Sequence, residues 1–282
     1  MAVRRVIGRR RWLLLLATVL GAAGGLGFGL PALLHAAGLH PEHERGDFDL
    51  AGRRALLIAT NQDVLGETNE PTGVFLSEVT EPYYDFLDAR MAIDVASVRG
   101  GRIPIDPQSL LWFMSTPSVE RYRDDTELQR KLENSLPIAA LDLTAYDIVF
   151  FAGGWGAAYD LAYSDELGRK VTEANAAGVI LGGVCHGPLG LLRAKAADGS
   201  PLVAGRRLTA VTDKQVRELG VEVTPQHPER ELRAAGALFE SNAAFRDMFA
   251  THVVVDGNLV TGQNQNSGGE TAQRMMRLLD RR

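Results

Sequence analysis

The sequence predicts an α/β protein whose mostly parallel sheet is covered by helices on both faces. After residue 50, short apolar segments rich in Val, Ile and Phe alternate with longer segments of helical periodicity. This alternation is typical of βαβ units, which bury both faces of their sheet. Glycines also follow several of the apolar segments directly, where the chain has to turn from strand into helix.

Each predicted element follows from this pattern. The predicted strands are short apolar runs ended by turn residues, at 53–60, 92–98, 146–152, 178–184, 208–212, 252–255 and 259–261. The predicted helices carry apolar residues along one face, at 74–90, 164–177, 188–197 and 268–279. Residues 102–137 contain prolines and charge clusters, so we expect an insertion or cap beside the site there. Because reactive residues in such sheets follow the carboxyl ends of strands, we expect the site at the turns 153–154, 185 and 212–213.

The amino terminus is predicted to be a separate piece. Residues 1–11 contain five arginines and no acid, and residues 12–34 are uncharged and rich in Leu, Ala and Gly. At about 1.5 Å per residue a helix of this length spans a bilayer, so residues 1–34 predict a basic flank and a transmembrane signal-anchor. The flank predicts a single-pass protein with a cytoplasmic N-terminus and a periplasmic or other extracytoplasmic catalytic domain. A cleaved signal peptide, including a twin-arginine signal at 9–13, is the alternative and would give a secreted protein.

Composition excludes several classes of function. A formal net charge of -5 and a pI near 5.7 give no electrostatic footprint for nucleic acid. The single cysteine excludes an intramolecular disulfide.

Glycines at 21, 25 and 29 have the spacing of a helix-packing face, but we interpret them as part of a generally Gly-rich segment. Residues 35–50 are predicted to be a polar linker, and residues 51–282 the α/β domain.

Cys185 lies in the segment with the most distinctive pattern. Residues 182–188 read Gly-Gly-Val-Cys-His-Gly-Pro, after an apolar strand and before an apolar helix. The small residues allow a sharp turn that lifts the Cys185 side chain off the strand end, as in a nucleophile elbow. Partial positive charge at the following helix N-terminus is expected to lower the thiol pKa, with His186 as a neighbouring base. A buried structural cysteine is the alternative, and no metal site is predicted because no other ligand has suitable spacing from His186.

Three motifs resemble the ThiJ/PfpI superfamily of the class I glutamine-amidotransferase-like fold: Val-Cys-His-Gly-Pro at 184–188, Ala-Gly-Gly at 152–154 and Thr-Gly-Gln-Asn at 261–264. Residues 100–107 and 256–259 resemble the branch that contains glutathione-independent glyoxalase III enzymes and heat-shock chaperones. The resemblance covers about residues 53–280. It implies a flavodoxin-like three-layer sandwich with a nucleophile-elbow cysteine, and it is compatible with a homodimer.

The resemblance also implies a proton carrier and an oxyanion site around Cys185. Glu78 matches the family glutamate that acts as general acid/base, and apolar neighbours suggest that it points inward, where burial would raise its pKa. The amides of Gly154 and His186 are the expected oxyanion donors, with Gly153 in the same turn. Glu81, later in the same helix, is expected to face solvent.

Two departures from the family pattern concern the partners of Cys185. The acid that usually orients the histidine has no match, because its expected positions hold Gln215 and Val216, and Asp213 is the nearest substitute. Trp155 follows the Gly-Gly turn where glyoxalase-like members commonly have His, so it either walls the substrate pocket or packs. Asp160 is expected to be a structural cap.

These residues lead to one main functional hypothesis and two alternatives. The first is a cofactor-free enzyme, a glyoxalase-like lyase or a deglycase-like hydrolase, in which Cys185 attacks a small carbonyl compound such as methylglyoxal and Glu78 moves the proton. No phosphate-loop or dinucleotide fingerprint occurs in the chain, in agreement with a reaction that needs no cofactor. The second is a cysteine hydrolase, amidotransferase-like or peptidase-like enzyme. The third is a non-catalytic chaperone or a redox sensor that oxidises Cys185.

Overall fold

The computed structural model describes residue 30 and residues 33–282. The chain divides into two compact units, residues 1–41 and residues 42–282. In the smaller unit, residues 33–36 form a single helical turn. The larger unit contains the sheet and every predicted site residue.

Within residues 42–282, seven strands form one sheet in the order β3-β2-β1-β4-β5-β9-β8. Neighbouring strands are parallel except for the β8–β9 hairpin, which is antiparallel. The strands of this sheet are β1 Arg54–Ala59, β2 Ala92–Ser97, β3 Leu136–Pro137, β4 Ile148–Phe151, β5 Ile180–Val184, β8 Val253–Asp256 and β9 Leu259–Gly262. Two further short strands, β6 Arg207–Leu208 and β7 Leu238–Phe239, pair in parallel as a separate sheet.

Helices cover both faces of the large sheet, so that its central strands are buried on both sides. The α-helices of the larger unit are α1 Ser77–Asp88, α2 Pro117–Asp124, α3 Thr126–Glu133, α4 Ala157–Asp160, α5 Asp165–Ala176, α6 Asp213–Glu218, α7 Pro228–Ala234 and α8 Gly268–Asp280. Apolar residues form one core cluster with α1 and α8, and a second cluster with α5. The predicted α/β fold with a mostly parallel sheet is confirmed.

Two predicted elements differ from the structure for local reasons. The helix predicted at 74–90 begins only at Ser77, because Val74 is extended and exchanges backbone hydrogen bonds with Pro104 and Asp106. The helix predicted at 188–197 is a short 3-10 helix, Gly187–Leu191. Its Gly190 lies so close to the ring of Phe151 that a Cβ there would be 2.7 Å from the ring.

The strand predicted at 208–212 is reduced to β6. Beyond Leu208 the backbone is in no strand, and its hydrogen bonds go to other groups. The Thr209 N–H donates to Thr261 Oγ1, and the Val211 N–H donates to the Cys185 carbonyl. This segment therefore supports the cysteine turn and adds no strand to the large sheet.

The regions predicted as cap and linker both contain ordered contacts. Residues 102–137 form α2, α3 and the edge strand β3, and their role as a cap remains a prediction. In the predicted linker, the Gly46 N–H donates to Gln273 on α8, and Arg45 lies 3.7 Å from the carboxylate of Asp85 on α1. Residues 42–50 thus pack against the domain.

The predicted membrane anchor requires a correction. In the part of the chain that the structure describes, no helix is long and apolar enough to cross a membrane. Most of the predicted span at 12–34, including the glycines at 21, 25 and 29, lies outside the described residues. The prediction of a single-pass membrane protein with an external catalytic domain is corrected on this point: none of the described helices could form the span.

The contact between β5 and β9 yields a stability prediction. A Cβ on Gly182 would lie 1.7 Å from the carbonyl oxygen of Val260, so Gly182→Ala has to separate two paired strands. We expect it to lower the free energy of unfolding by about 3 kcal/mol or more, as measured by urea denaturation. Gly178→Ala is the matched control, because a Cβ there meets open space and only the positive φ of 82° adds strain, about 1–2 kcal/mol. Equal losses in the two variants would contradict the prediction.

Candidate active site

The candidate site lies where β1, β4 and β5 end at the same edge of the sheet. Cys185 follows β5 directly and has a φ of +60°, in the left-handed region that non-glycine residues rarely adopt. Its N–H donates to the Gly262 carbonyl at 3.2 Å and its carbonyl accepts from Val211 at 3.0 Å, so both backbone groups are tied to neighbouring segments. The strained turn predicted at Cys185 is thus held by contacts on both sides.

The glycine turn after β4 lies against the cysteine turn. A Cβ on Gly153 would lie 2.6 Å from Glu78 Oε2 and 2.7 Å from the backbone nitrogen of His186, so only glycine fits there. Gly154 has a φ of +94° and packs equally closely on Gly73, in the segment that leads into α1. The N–H groups of Gly154 and His186 both act on the Cys185 thiol in the sense that lowers its pKa. These are the two amides expected to form an oxyanion site.

Glu78 is buried beside the thiol, on the first turn of α1. Its carboxyl Oε2 accepts a hydrogen bond from the Gly153 N–H at 2.9 Å, and only 1% of the residue is exposed. Its Oε1 has no hydrogen-bond partner in the geometry of residues 33–282, and the Cys185 thiol acts on this carboxyl in the sense that lowers its pKa. The inward orientation expected for Glu78 is what the structure shows.

Burial dominates the proton affinity of this pair. Desolvation raises the pKa of Glu78 to about 8, against smaller opposing effects from the Cys185 and Gly153 hydrogen bonds. Desolvation, with the nearby Glu78 charge, also raises the thiol pKa of Cys185 well above its usual value. The amides of Gly154 and His186 act in the opposite sense, as expected at a helix start, but they are outweighed. The expected lowering of the thiol pKa is therefore not found, because the thiol is buried next to a carboxyl group.

His186 is buried and has no acidic partner among residues 33–282. Its Nδ1 lies 3.5 Å from the Cys185 sulfur, while its Nε2 has no hydrogen-bond partner in the described chain. Desolvation, with a smaller effect of His227, lowers the pKa of His186 to about 3, so the ring is neutral at physiological pH. Its edge meets the ring of Trp155 at a centroid distance of 5.1 Å.

Asp213 does not join the histidine. Its Oδ1 lies 4.0 Å from His227 Nδ1 and makes no hydrogen bond within residues 33–282, and its N–H donates to Glu229. Gln215, at an expected acid position, instead joins Asn264 and Gln265 in a buried amide network. A Cys–His–acid triad is therefore not assembled around Cys185.

Sequence reasoning missed two contacts near the site, those of His227 and Glu81, and anticipated the structural role of Asp160. Half-buried His227, expected at the surface, lies beside Asp213, but its polar neighbours and the following Pro228 gave no signal of this. Glu81, expected to face solvent, accepts a hydrogen bond from the Gly269 N–H at the start of α8. Asp160 accepts from the Asn61 N–H at 2.7 Å and so holds the loop after β1, in keeping with its expected structural role.

Comparison with known proteins identifies the family. Residues 71–278 match the DJ-1/PfpI family, and the chain belongs to it. It is 30% identical over 212 residues to the glutathione-independent glyoxalase hsp3101 of Schizosaccharomyces pombe, covering 72% of this chain and 85% of that protein. It is 28% identical over 236 residues to the glutathione-independent glyoxalase HSP31 of Saccharomyces cerevisiae, covering 80% and 97%.

Solved structures show the same similarity. The structure of glyoxalase III from Candida albicans superposes with a TM-score of 0.73 at 25% identity, covering 80% of this chain and 96% of that one. The Rapid Encystment Protein of 24 kDa from Francisella tularensis superposes with a TM-score of 0.75 at 30% identity, covering 80% and 99%. These similarities confirm the predicted superfamily and its fold.

The raised pKa of Glu78 predicts how its removal changes stability. In the unfolded chain this carboxyl ionises near its ordinary pKa of 4.5, whereas in the folded chain it holds its proton up to about pH 8. Folded protein binds the extra proton, so wild-type stability falls as pH rises between these two values. Glu78→Gln removes this loss, and we expect it to be more stable than wild type at pH 8 by a few kcal/mol, about 1.4 kcal/mol per unit of pKa difference.

Thermal unfolding at pH 5 and pH 8 measures this effect. The gain of Glu78→Gln over wild type should be larger at pH 8 than at pH 5. Glu120→Gln, at a residue whose side chain is 54% exposed, serves as the control and should show no such difference. A gain that is independent of pH would show that the Glu78 carboxyl ionises normally in the folded protein.

Proposed function

We propose that this protein is a glutathione-independent glyoxalase that converts a small 2-oxoaldehyde such as methylglyoxal into the corresponding 2-hydroxy acid. Cys185 is the nucleophile and Glu78 is the general acid/base. The observation that carries the proposal is the Glu78 carboxyl, buried against the Cys185 thiol with a pKa near the pH at which it would work. Membership of the family and the names of the similar glyoxalases support the same assignment.

The chemistry begins with addition of the thiol to the aldehyde. The Cys185 proton passes to the Glu78 carboxylate while sulfur forms a bond to the aldehyde carbon, and Glu78 then gives this proton to the former aldehyde oxygen, so that a hemithioacetal forms and the carboxylate is restored. The amides of Gly154 and His186 lie where they stabilise negative charge, first on sulfur and then on the former aldehyde oxygen. A raised thiol pKa is compatible with this step, because the proton is transferred during the attack and no stable thiolate is needed.

The second stage is an internal redox reaction that needs no added oxidant. Glu78 takes the proton from the former aldehyde carbon and gives it to the oxygen of the adjacent carbonyl group, which forms an enediol. It then moves the proton of the first hydroxyl group to the second carbon. The first carbon is oxidised to a thioester and its neighbour is reduced to an alcohol, so electrons balance within the substrate. Water then cleaves the thioester, which releases the 2-hydroxy acid and restores the thiol. One carboxyl group can perform these transfers in turn because its pKa lies near neutrality.

The geometry favours this chemistry over the two alternatives. Hydrolysis by a cysteine triad requires a histidine oriented by an acid, whereas His186 Nε2 has no partner among the described residues and Asp213 lies beside His227. A peroxide sensor requires an accessible thiol of low pKa, whereas Cys185 is 4% exposed and its pKa is raised.

Substitution of the pair tests the proposal directly. Cys185→Ser and Glu78→Gln should each lower kcat/KM for lactate formation from methylglyoxal by about 10²–10⁴-fold, because each removes a group that reacts or moves a proton. Lactate is measured enzymatically, with Glu120→Gln as the matched control at an exposed glutamate. Full activity in either site variant would refute the assigned roles.

The pH dependence follows from the coupled titration of this pair. At low pH both Cys185 and Glu78 hold their protons, and the reactive form appears once the pair has lost one of them. We expect kcat/KM to rise with pH until about pH 8, the value to which the pKa of Glu78 is raised, and then to level off. Initial rates between pH 5 and pH 10 measure this profile. A rise that is complete near pH 5 would indicate a carboxyl of ordinary pKa.

The absence of a histidine–acid contact gives a separate prediction. Asp213→Asn should change kcat/KM by less than about threefold, whereas loss of the acid in a working triad costs about 10⁴-fold. The two values are far enough apart for steady-state kinetics to distinguish them. A loss approaching the larger value would place Asp213 in the catalytic machinery despite its position beside His227.

A further inference from the structure

Trp155 holds a buried hydrogen-bond donor at the candidate site. It follows Gly154, whose amide acts to lower the pKa of the Cys185 thiol, and its ring meets His186 edge to face at a centroid distance of 5.1 Å. Only 4% of Trp155 is exposed, and its indole Nε1 has no acceptor within residues 33–282. A buried N–H without an acceptor costs free energy, so its retention in a site points to an acceptor that arrives with a ligand.

The chemistry of indole limits what this group can do. The Nε1–H donates a hydrogen bond, accepts none and does not titrate in water. Trp155 can therefore donate a hydrogen bond to a ligand, but it takes no part in proton transfer, unlike a histidine at the same position. The neighbouring His186 is neutral and can either donate or accept through its own unpartnered Nε2. The contact between these two rings thus places an indole whose N–H has no acceptor in the described chain next to His186.

We propose that the Trp155 indole N–H donates a hydrogen bond to the second oxygen of the substrate, and so makes the site selective for vicinal dicarbonyl compounds over simple carbonyls. The inference rests on the proposed function for the position of the first oxygen, which the Gly154 and His186 amides receive. In a vicinal dicarbonyl the second oxygen is on the adjacent carbon, and a simple aldehyde or ketone has none there. With a simple carbonyl the buried indole N–H stays unpaired, which weakens binding.

The test measures binding, so that it does not depend on turnover. Butane-2,3-dione and butan-2-one differ by the second oxygen, and neither has an aldehyde hydrogen to be transferred. Their dissociation constants are obtained in borate-free buffer from the rise in unfolding temperature with ligand concentration, on the full chain. The same scans show whether each variant is folded. Differences in intrinsic electrophilicity cancel, because the same two ligands are compared on every variant.

For Trp155→Phe we expect the preference for the dione over the ketone to fall by about tenfold relative to wild type, mostly through weaker dione binding. Trp155→His retains a ring N–H and should retain part of the preference. Trp112→Phe, at a tryptophan that is 54% exposed, is the matched control and should leave the preference unchanged.

Two outcomes would overturn the inference. One is a folded Trp155→Phe variant with the wild-type preference, and the other is an equal weakening of both ligands, which would show that Trp155 only packs. If Trp155→Phe fails to fold, the Trp155→His comparison decides, and loss of all preference there would also refute the donor role. Failure of the proposed function appears separately, as absence of lactate formation by a protein that still prefers the dione.

Discussion

The hydrogen bond from the Gly153 N–H to the Glu78 carboxyl is the contact on which the site depends. It joins the start of α1 to the turn after β4. A Cβ on Gly153 would collide there with both Glu78 Oε2 and the backbone nitrogen of His186. The start of α1, the turn after β4 and the turn at Cys185 pack closely there, so backbone packing fixes the positions of the Glu78 carboxyl and the Cys185 thiol. Precise placement of reacting groups in this way is what catalysis by proton transfer requires.

Burial then determines the chemistry that these groups can perform. The same desolvation raises the proton affinities of Glu78 and Cys185 and lowers that of His186, so all three are neutral near pH 7. Negative charge created by loss of one proton is stabilised by backbone amides, which cost little reorganisation because the turns hold them in place. At pH values above the ordinary pKa of Glu78, burial of this carboxyl lowers the free energy of unfolding. The same burial gives a carboxyl that exchanges protons near neutrality.

Much of the fold and part of the site can be predicted from the sequence. Periodicity located the strands of the large sheet to within one or two residues, except for the two-residue edge strand β3. The Gly-Gly and Cys-His-Gly-Pro segments located the turns, but the direction of the thiol pKa shift depends on how deeply Cys185 is buried, which no local pattern encodes. Placement of Asp213 beside His227 likewise depends on tertiary packing between residues 14 positions apart. The membrane prediction rested on the basic flank and the length of the uncharged segment within residues 1–34, and no described helix could span a membrane.

The edge strand β3 affects how copies of the chain meet one another. An exposed sheet edge is a template for another strand, and β3 offers only Leu136 and Pro137 at this edge of the large sheet. Proline has no N–H to donate, and two residues form too short a ladder to hold a foreign strand. This side of the sheet is thereby protected against edge-to-edge aggregation.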